Sequence, residues 1–191
     1  VGNFTELTDV DSVGVNVTLL GFCQEQGIRS VLTTQVINWC RSCVKELDLA
    51  RRLVHHAVEK QILPKHLEDD LILLRDPQLA SQTEEEIAEL QSQIADRNFR
   101  IFAESGLLHI LNHAGHWRGE DPFALFAAMQ AQENVDASHA FYLGYEMAKA
   151  VTALTLGKRY AQDQSLRWGF LTVEEKSECA KDSDSESEEG Q

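Results

Sequence analysis

The stretch from Ser138 to Lys158, SHAFYLGYEMAKAVTALTLGK, carries a start signal, an apolar face, a polar stripe and a stop. That combination predicts one helix, to which the rest of the chain must adapt. Asp136 or Ser138 can act as the N-cap, because a short side-chain oxygen accepts a hydrogen bond from an otherwise unpaired first-turn N–H. Gly157 suits the left-handed position that commonly ends a helix. Between them Phe141, Leu143, Met147, Ala150, Val151 and Leu154 supply apolar surface. His139, Tyr142, Glu146 and Lys149 recur at steps of three or four and so share one face, a candidate contact face. As a plain solvated row, that face would hold only a Glu146–Lys149 pair worth about 0.2–0.5 kcal/mol.

Charge decides which partners such a chain can have. The net charge is -14 over 191 residues, and the segment 174–191 holds eight acidic and two basic side chains. Rich in Ser, Asp and Glu with almost nothing to bury, it is expected to be an acidic disordered tail. An acidic body without a basic patch argues against nucleic acid, whose binding needs clustered Lys and Arg. No run approaches the roughly 18–20 apolar residues of a membrane span, and no basic-then-apolar leader is present in the sequence, so no membrane partner and a cytoplasmic location are expected. Val1 in place of Met reads as a cut through a longer polypeptide, or as an alternative start codon read literally.

Earlier in the chain, Ser12 is a plausible cap, Val13, Val17, Leu20 and Cys23 recur at helical spacing, and Gly27 ends the run. Ile28-Arg29-Ser30-Val31-Leu32-Thr33 reads as a short buried strand, and a further helix is expected over 42–60. Helix, apolar strand, helix is the grammar of a parallel α/β sheet, whose ligands bind where strands end and helices begin. If Val1 to Thr5 is the exit from an earlier strand, Asn3, Thr5 and Glu6 share a rim with Thr33, Thr34, Gln35 and Asn38. Amides and hydroxyls suit a neutral heterocycle, and Arg41 could add an anion contact near the helix start. The alternative is that these groups only cap strand and helix ends.

Cys40-Arg41-Ser42-Cys43 has the CxxC spacing of redox exchange or of half a zinc site, but no second pair completes four ligands, so two incidental reduced thiols are expected. Leu71-Ile72-Leu73-Leu74 is a short apolar piece after Pro64. Thr83-Glu84-Glu85-Glu86 opens a capping-box helix, making 64–97 a partly helical connector. Asn98 to Asn112 reads as a β-hairpin with its turn at Glu104-Ser105-Gly106, and Asp121-Pro122 starts another helix. His109, His113 and His116 fall on a strand and in a loop, with no converging carboxylate or thiol, so no metal is expected.

The segments VGNFTELTDVDSVGVN and GIRSVLTTQVINW resemble the end of the barrel in dihydropteroate synthase-related proteins of the methanopterin type. NFRIF and SHAFYLGYEMAKAVTALTLGKRYAQD resemble the small C-terminal domain attached to those barrels. The resemblance implies an α/β part, the truncated end of a pterin-binding (β/α)8 barrel over 1–63, followed by a small α+β domain over 98–173 with a β-hairpin and packed helices. It also implies a pterin as substrate or ligand, with no covalently bound cofactor, and a late-strand pocket lined by Asn3, Thr5, Glu6, Thr33, Thr34 and Gln35. The intact protein would be a dihydropteroate synthase-like transferase, this chain alone being inactive, and any self-association would give a homodimer. The alternative is a non-catalytic domain that binds a ligand or a protein. Ordinary members carry Ser-Arg-Lys and Arg-x-His where this chain reads Asn3-Phe4-Thr5-Glu6 and Thr33-Thr34-Gln35. Loss of those cations argues against diphosphate departure, which needs positive charge.

Overall fold

The computed structural model describes residues 2–79 and 82–175. They divide into two compact units, one of the described residues up to 73 with 168–171, the other of those from 74 to 167 with 172–175.

The first unit holds a short helix α1 (Gly2–Glu6), α2 (Ser12–Glu25), a 3₁₀ turn (Asn38–Cys40) and α3 (Cys43–Lys60). Ser12 and Asn16 of α2 meet Glu46 of α3, Leu20 packs with Leu47, Ala50 and Val54, and Gln24 reaches His55. Contacts that advance along both helices together mean that α2 and α3 run parallel, with their N-termini at one end. On another side, Leu49, Leu53 and Leu71 pack against Val13, Val17 and Phe170. The strap 168–171 is fixed there by the Phe170 N–H, which donates to the Asp70 carbonyl at 2.8 Å.

The truncated (β/α)8 barrel is not present. Residues 28–36 form no strand, and 2–6, expected as a strand exit, are helical. Among the described residues the sheet is the three-stranded antiparallel one of the second unit. An apolar hexapeptide becomes a strand only if a neighbour takes its N–H and C=O groups. Here no strand pairs with it among the described residues, the Ile28 N–H donates back to the Cys23 carbonyl, and Ile28, Leu32 and Val36 are 52%, 80% and 79% exposed. The mixed helix-and-strand class stands, but the parallel sheet does not.

The second unit contains α4 (Glu84–Gln93), β1 (Arg100–Glu104), β2 (Leu107–Asn112), β3 (Gly115–Gly119), α5 (Pro122–Gln130) and α6 (Ala137–Leu156). The capping box forms as expected: the Thr83 hydroxyl accepts from Glu86 N–H, and the Glu86 carboxylate accepts from Thr83 N–H. The hairpin also forms, with Ile101 opposite Ile110 and Ala103 opposite Leu108. It continues into a third strand, because the Asn112 side-chain oxygen accepts from the N–H groups of Ala114 and Gly115 and reverses the chain. One face of the sheet buries Ile101, Leu108, Ile110 and Trp117 against Leu125 and Met129 of α5 and Leu143, Met147 and Ala150 of α6. Asp136 caps α6 through the His139 N–H, and Gly157 (φ 68°) ends it in the left-handed region.

Gly169 sits at φ +60°, and an added Cβ would lie 2.4 Å from the carbonyl oxygens of Asp70 and Leu71. Gly169→Ala should therefore destabilise the first unit by about 1–3 kcal/mol, from strain and overlap together. Gly14→Ala, a helix position with open space around it, should gain up to about 1 kcal/mol. Thermal unfolding of both variants checks the pair.

Candidate functional site

The polar row of α6 changes character along its length. Glu146 and Lys149 are buried, at 1% and 8% exposure, while His139 and Tyr142 are half-buried. The Lys149 ammonium lies 2.7 Å from Glu146 Oε1 and 2.6 Å from Glu175 Oε2, and donates to the Gln164 carbonyl at 3.2 Å. Tyr160 donates its hydroxyl proton to Glu146 Oε2 at 2.7 Å, and Tyr145 donates to Glu175 Oε1 at 3.0 Å. Burial pulls the Lys149 pKa down, but hydrogen bonds to Glu146 and Glu175 outweigh it and hold the ammonium above its ordinary value. Its three N–H donors are used, so it is neither a free cation for a ligand nor a nucleophilic amine at neutral pH. Burial, reinforced by the Glu146 carboxylate, pushes the Tyr160 phenol up, so it stays a donor.

At the open end, Gln162 organises the site. Its Oε1 accepts from Ile101 N–H at 2.8 Å, and its Nε2 donates to the Phe99 carbonyl at 3.1 Å and to the Tyr142 hydroxyl at 2.7 Å. Tyr142 donates onward to Asp163 Oδ1 at 2.8 Å. Asp163 stands at φ 61°, a backbone region that Asp enters more readily than most residues. Burial drives the Tyr142 pKa up, so the phenol keeps its proton and orients the carboxylate. The rings of Phe99 and His139 meet at 90°, with 5.6 Å between centroids.

A cleft of about 620 Å³ opens here, lined by Asn98, Phe99, Arg100, His139, Tyr142 and Asp163 among others. A second hollow of about 340 Å³ shares Asn98, Phe99, Asp136 and His139 with it. Arg100 is committed to Asp96 through two bonds of 2.6 and 2.8 Å, which hold that carboxyl at about 2. What faces the cleft is thus an aromatic wall, hydrogen-bonding groups and two carboxylates, Asp136 at the α6 cap and Asp163 held by Tyr142. The groups on this cleft offer hydrogen bonds and ring contacts to a ligand.

In the first unit the structure joins some of the expected rim and separates the rest. Thr34 donates to Glu6 Oε1, and the carbonyl of buried Thr5 accepts from the Trp39 indole at 3.0 Å. The Thr33 hydroxyl is buried without a hydrogen-bond partner among the described residues, while Gln35, Asn38 and Arg41 are exposed. Asn3 lies in α1, and its side chain falls outside the described residues. The expected acidic tail is described only for Glu174 and Glu175, the rest lying outside.

Sequence reasoning missed Glu46. Its carboxylate, 2% exposed, accepts from Ser12 at 2.7 Å, Asn16 at 2.8 Å and Ser42 at 2.6 Å, beside the N-termini of both parallel helices. The clue was Ser12 and Asn16, two polar residues in register with Leu20 on the side of α2 that faces α3. Cys40 and Cys43 are free thiols with no exposure, and burial raises the Cys40 pKa, which is the opposite of an activated thiol.

Two of the three histidines do meet. His109 Nδ1 and His116 Nε2 are 2.9 Å apart on neighbouring strands, with rings stacked at 5.2 Å. His113 is not with them, and no group of three metal-binding side chains forms among the described residues.

No family model matches the chain, and no solved structure matches it. It is 31% identical over 189 aligned residues to an uncharacterized protein of Methanocaldococcus jannaschii. That match covers 87% of this chain and 35% of the relative, so the chain spans about a third of the relative's length. No helix among the described residues is long and apolar enough to cross a membrane.

Burial lowers the pKa of both His109 and His116, helped at His109 by its partner ring and at His116 by Arg118. Unfolded imidazoles titrate near about 6.5, so between that value and the lower folded ones the unfolded chain binds more protons. The stability this pair contributes is present above about pH 6.5 and lost as pH falls through the folded values. Thermal unfolding from pH 7.5 to 5 should show this loss, and His116→Gln should flatten the dependence.

Proposed function

We propose that the second unit is a non-catalytic binding module of a longer protein, and that its cleft takes a small, planar, polar heterocycle of pterin type. The observation that carries the reading is the chain Gln162–Tyr142–Asp163, which fixes a carboxylate at the mouth of a cleft walled by His139 and Phe99. Planar heterocycles place a face against a ring and their amino and ring N–H groups against an acceptor. Asp163 keeps Oδ2 for that purpose, and Asn98 and Ser138 add donors and acceptors at the rim. Polar groups set in place before binding cost little ordering entropy. Lys149 and Glu146 support this arrangement from beneath and do not touch the ligand. The resemblance to dihydropteroate synthase-related proteins supplies the pterin. Transferase chemistry, with its need for cations at a leaving diphosphate, belongs in this reading to other parts of the longer protein.

Titrating the full chain with hydroxymethylpterin, followed by the pterin's own fluorescence, tests the reading. Saturable binding is expected, weakened about tenfold or more in Asp163→Asn, since a hydrogen bond to a charged group contributes about 1.5–3 kcal/mol. His139→Ala should weaken it as well. Absence of saturable binding, or equal affinity in parent and both variants, contradicts the proposal.

A further inference from the structure

We infer a separate binding site in the first unit, in the cleft between the C-terminal half of α2 and α3, and assign it a small organic anion with an apolar body. The cleft has a volume of about 620 Å³. Its floor is the apolar cluster of Leu20, Leu47 and Val54, each 6–7% exposed. Val31 and half-buried Cys23 extend this apolar lining up the walls.

The rim has the opposite character. Arg29 and Arg51 stand on it, and Asp48 is the carboxylate among the lining residues. That carboxylate already serves two guanidiniums, Arg51 at 2.7 Å and Arg52. Arg29 has no ion pair among the described residues. Two guanidiniums against one carboxylate among the lining residues leave a local excess of positive charge, on a chain whose net charge is -14. Gln24 and His55, 3.4 Å apart, bridge α2 to α3 at the cleft and add hydrogen-bonding groups, and Glu59 lies 3.7 Å from the far nitrogen of His55.

An apolar floor below a cationic rim selects by both properties at once. Inorganic phosphate would leave the floor wet, and a neutral hydrocarbon would leave Arg29 without a partner. A carboxylate or phosphate ester joined to a chain or ring of modest size satisfies both. The charge separates this site from the cleft of the second unit, where a carboxylate faces the ligand and the nearby guanidinium of Arg100 is already paired.

Calorimetric titration of the full chain with octanoate, octyl phosphate and octanol tests the assignment. At least one of the two anions should bind, and which one does separates a carboxylate from a phosphate ligand. Octanol should bind about tenfold more weakly, and Arg29→Ala should remove that preference, the discrimination being what one charge-assisted hydrogen bond supplies. Arg51→Ala, expected to fold because it removes only an exposed pair, should do the same in part. In a Cys179→Ser background the binding anion should slow alkylation of Cys23, since Cys40 and Cys43 are fully buried. Equal affinity for octanol, no binding of either anion, unchanged selectivity in Arg29→Ala, or an unprotected Cys23 overturns the site.

Discussion

A glutamate and a lysine three residues apart on α6 are buried together, and the second unit is arranged so that neither charge goes unanswered. Taking two such ions out of water costs several kcal/mol each, and their mutual attraction offsets this only when further hydrogen bonds complete the geometry. Those bonds come from segments distant in sequence: the Tyr160 hydroxyl, the Gln164 carbonyl and the Glu175 carboxylate. The chain after α6 must therefore fold back along the helix. That return places Gln162 beside β1 and Asp163 beside Tyr142, so the cleft follows from how the buried charges are satisfied.

The first unit solves a similar problem without a cation. Glu46 is surrounded by hydroxyl and amide donors, and it sits where α2 and α3 both begin. Each helix N-terminus carries about half a positive charge, so two parallel helices meeting there favour an anion between them. Asn16 answers the carboxylate through its amide nitrogen, while its oxygen is buried with no hydrogen-bond partner among the described residues. That cost is consistent with a polar knot that fixes the pairing of the two helices instead of maximising stability.

Local signals were read well from the sequence wherever a residue type acts on its own neighbours. The α6 boundaries followed from Asp136 and Gly157, the α4 start from Thr83 and Glu86, and the hairpin from its alternation about Ser105-Gly106. Signals that depend on absent neighbours were not. Ile28 to Thr33 has the composition of a buried strand, but composition cannot supply a hydrogen-bonding partner. The polar row of α6 was visible as a row. That Glu146 and Lys149 lie beneath the surface depends on Tyr160, Gln164 and Glu175 meeting them, and no periodicity reports that. Glu46 escaped for the same reason, since its donors lie on another helix.

The account makes the second unit a preorganised receptor, its polar atoms arranged before any ligand arrives. Amide NMR of the isotopically labelled chain, with hydroxymethylpterin added, tests this most directly. Shift changes concentrated at Asn98–Arg100, His139 and Gln162–Asp163, with the β-sheet and buried α6 signals unmoved, are the predicted result. Changes spread across the sheet and α6, or confined to the first unit, would contradict it.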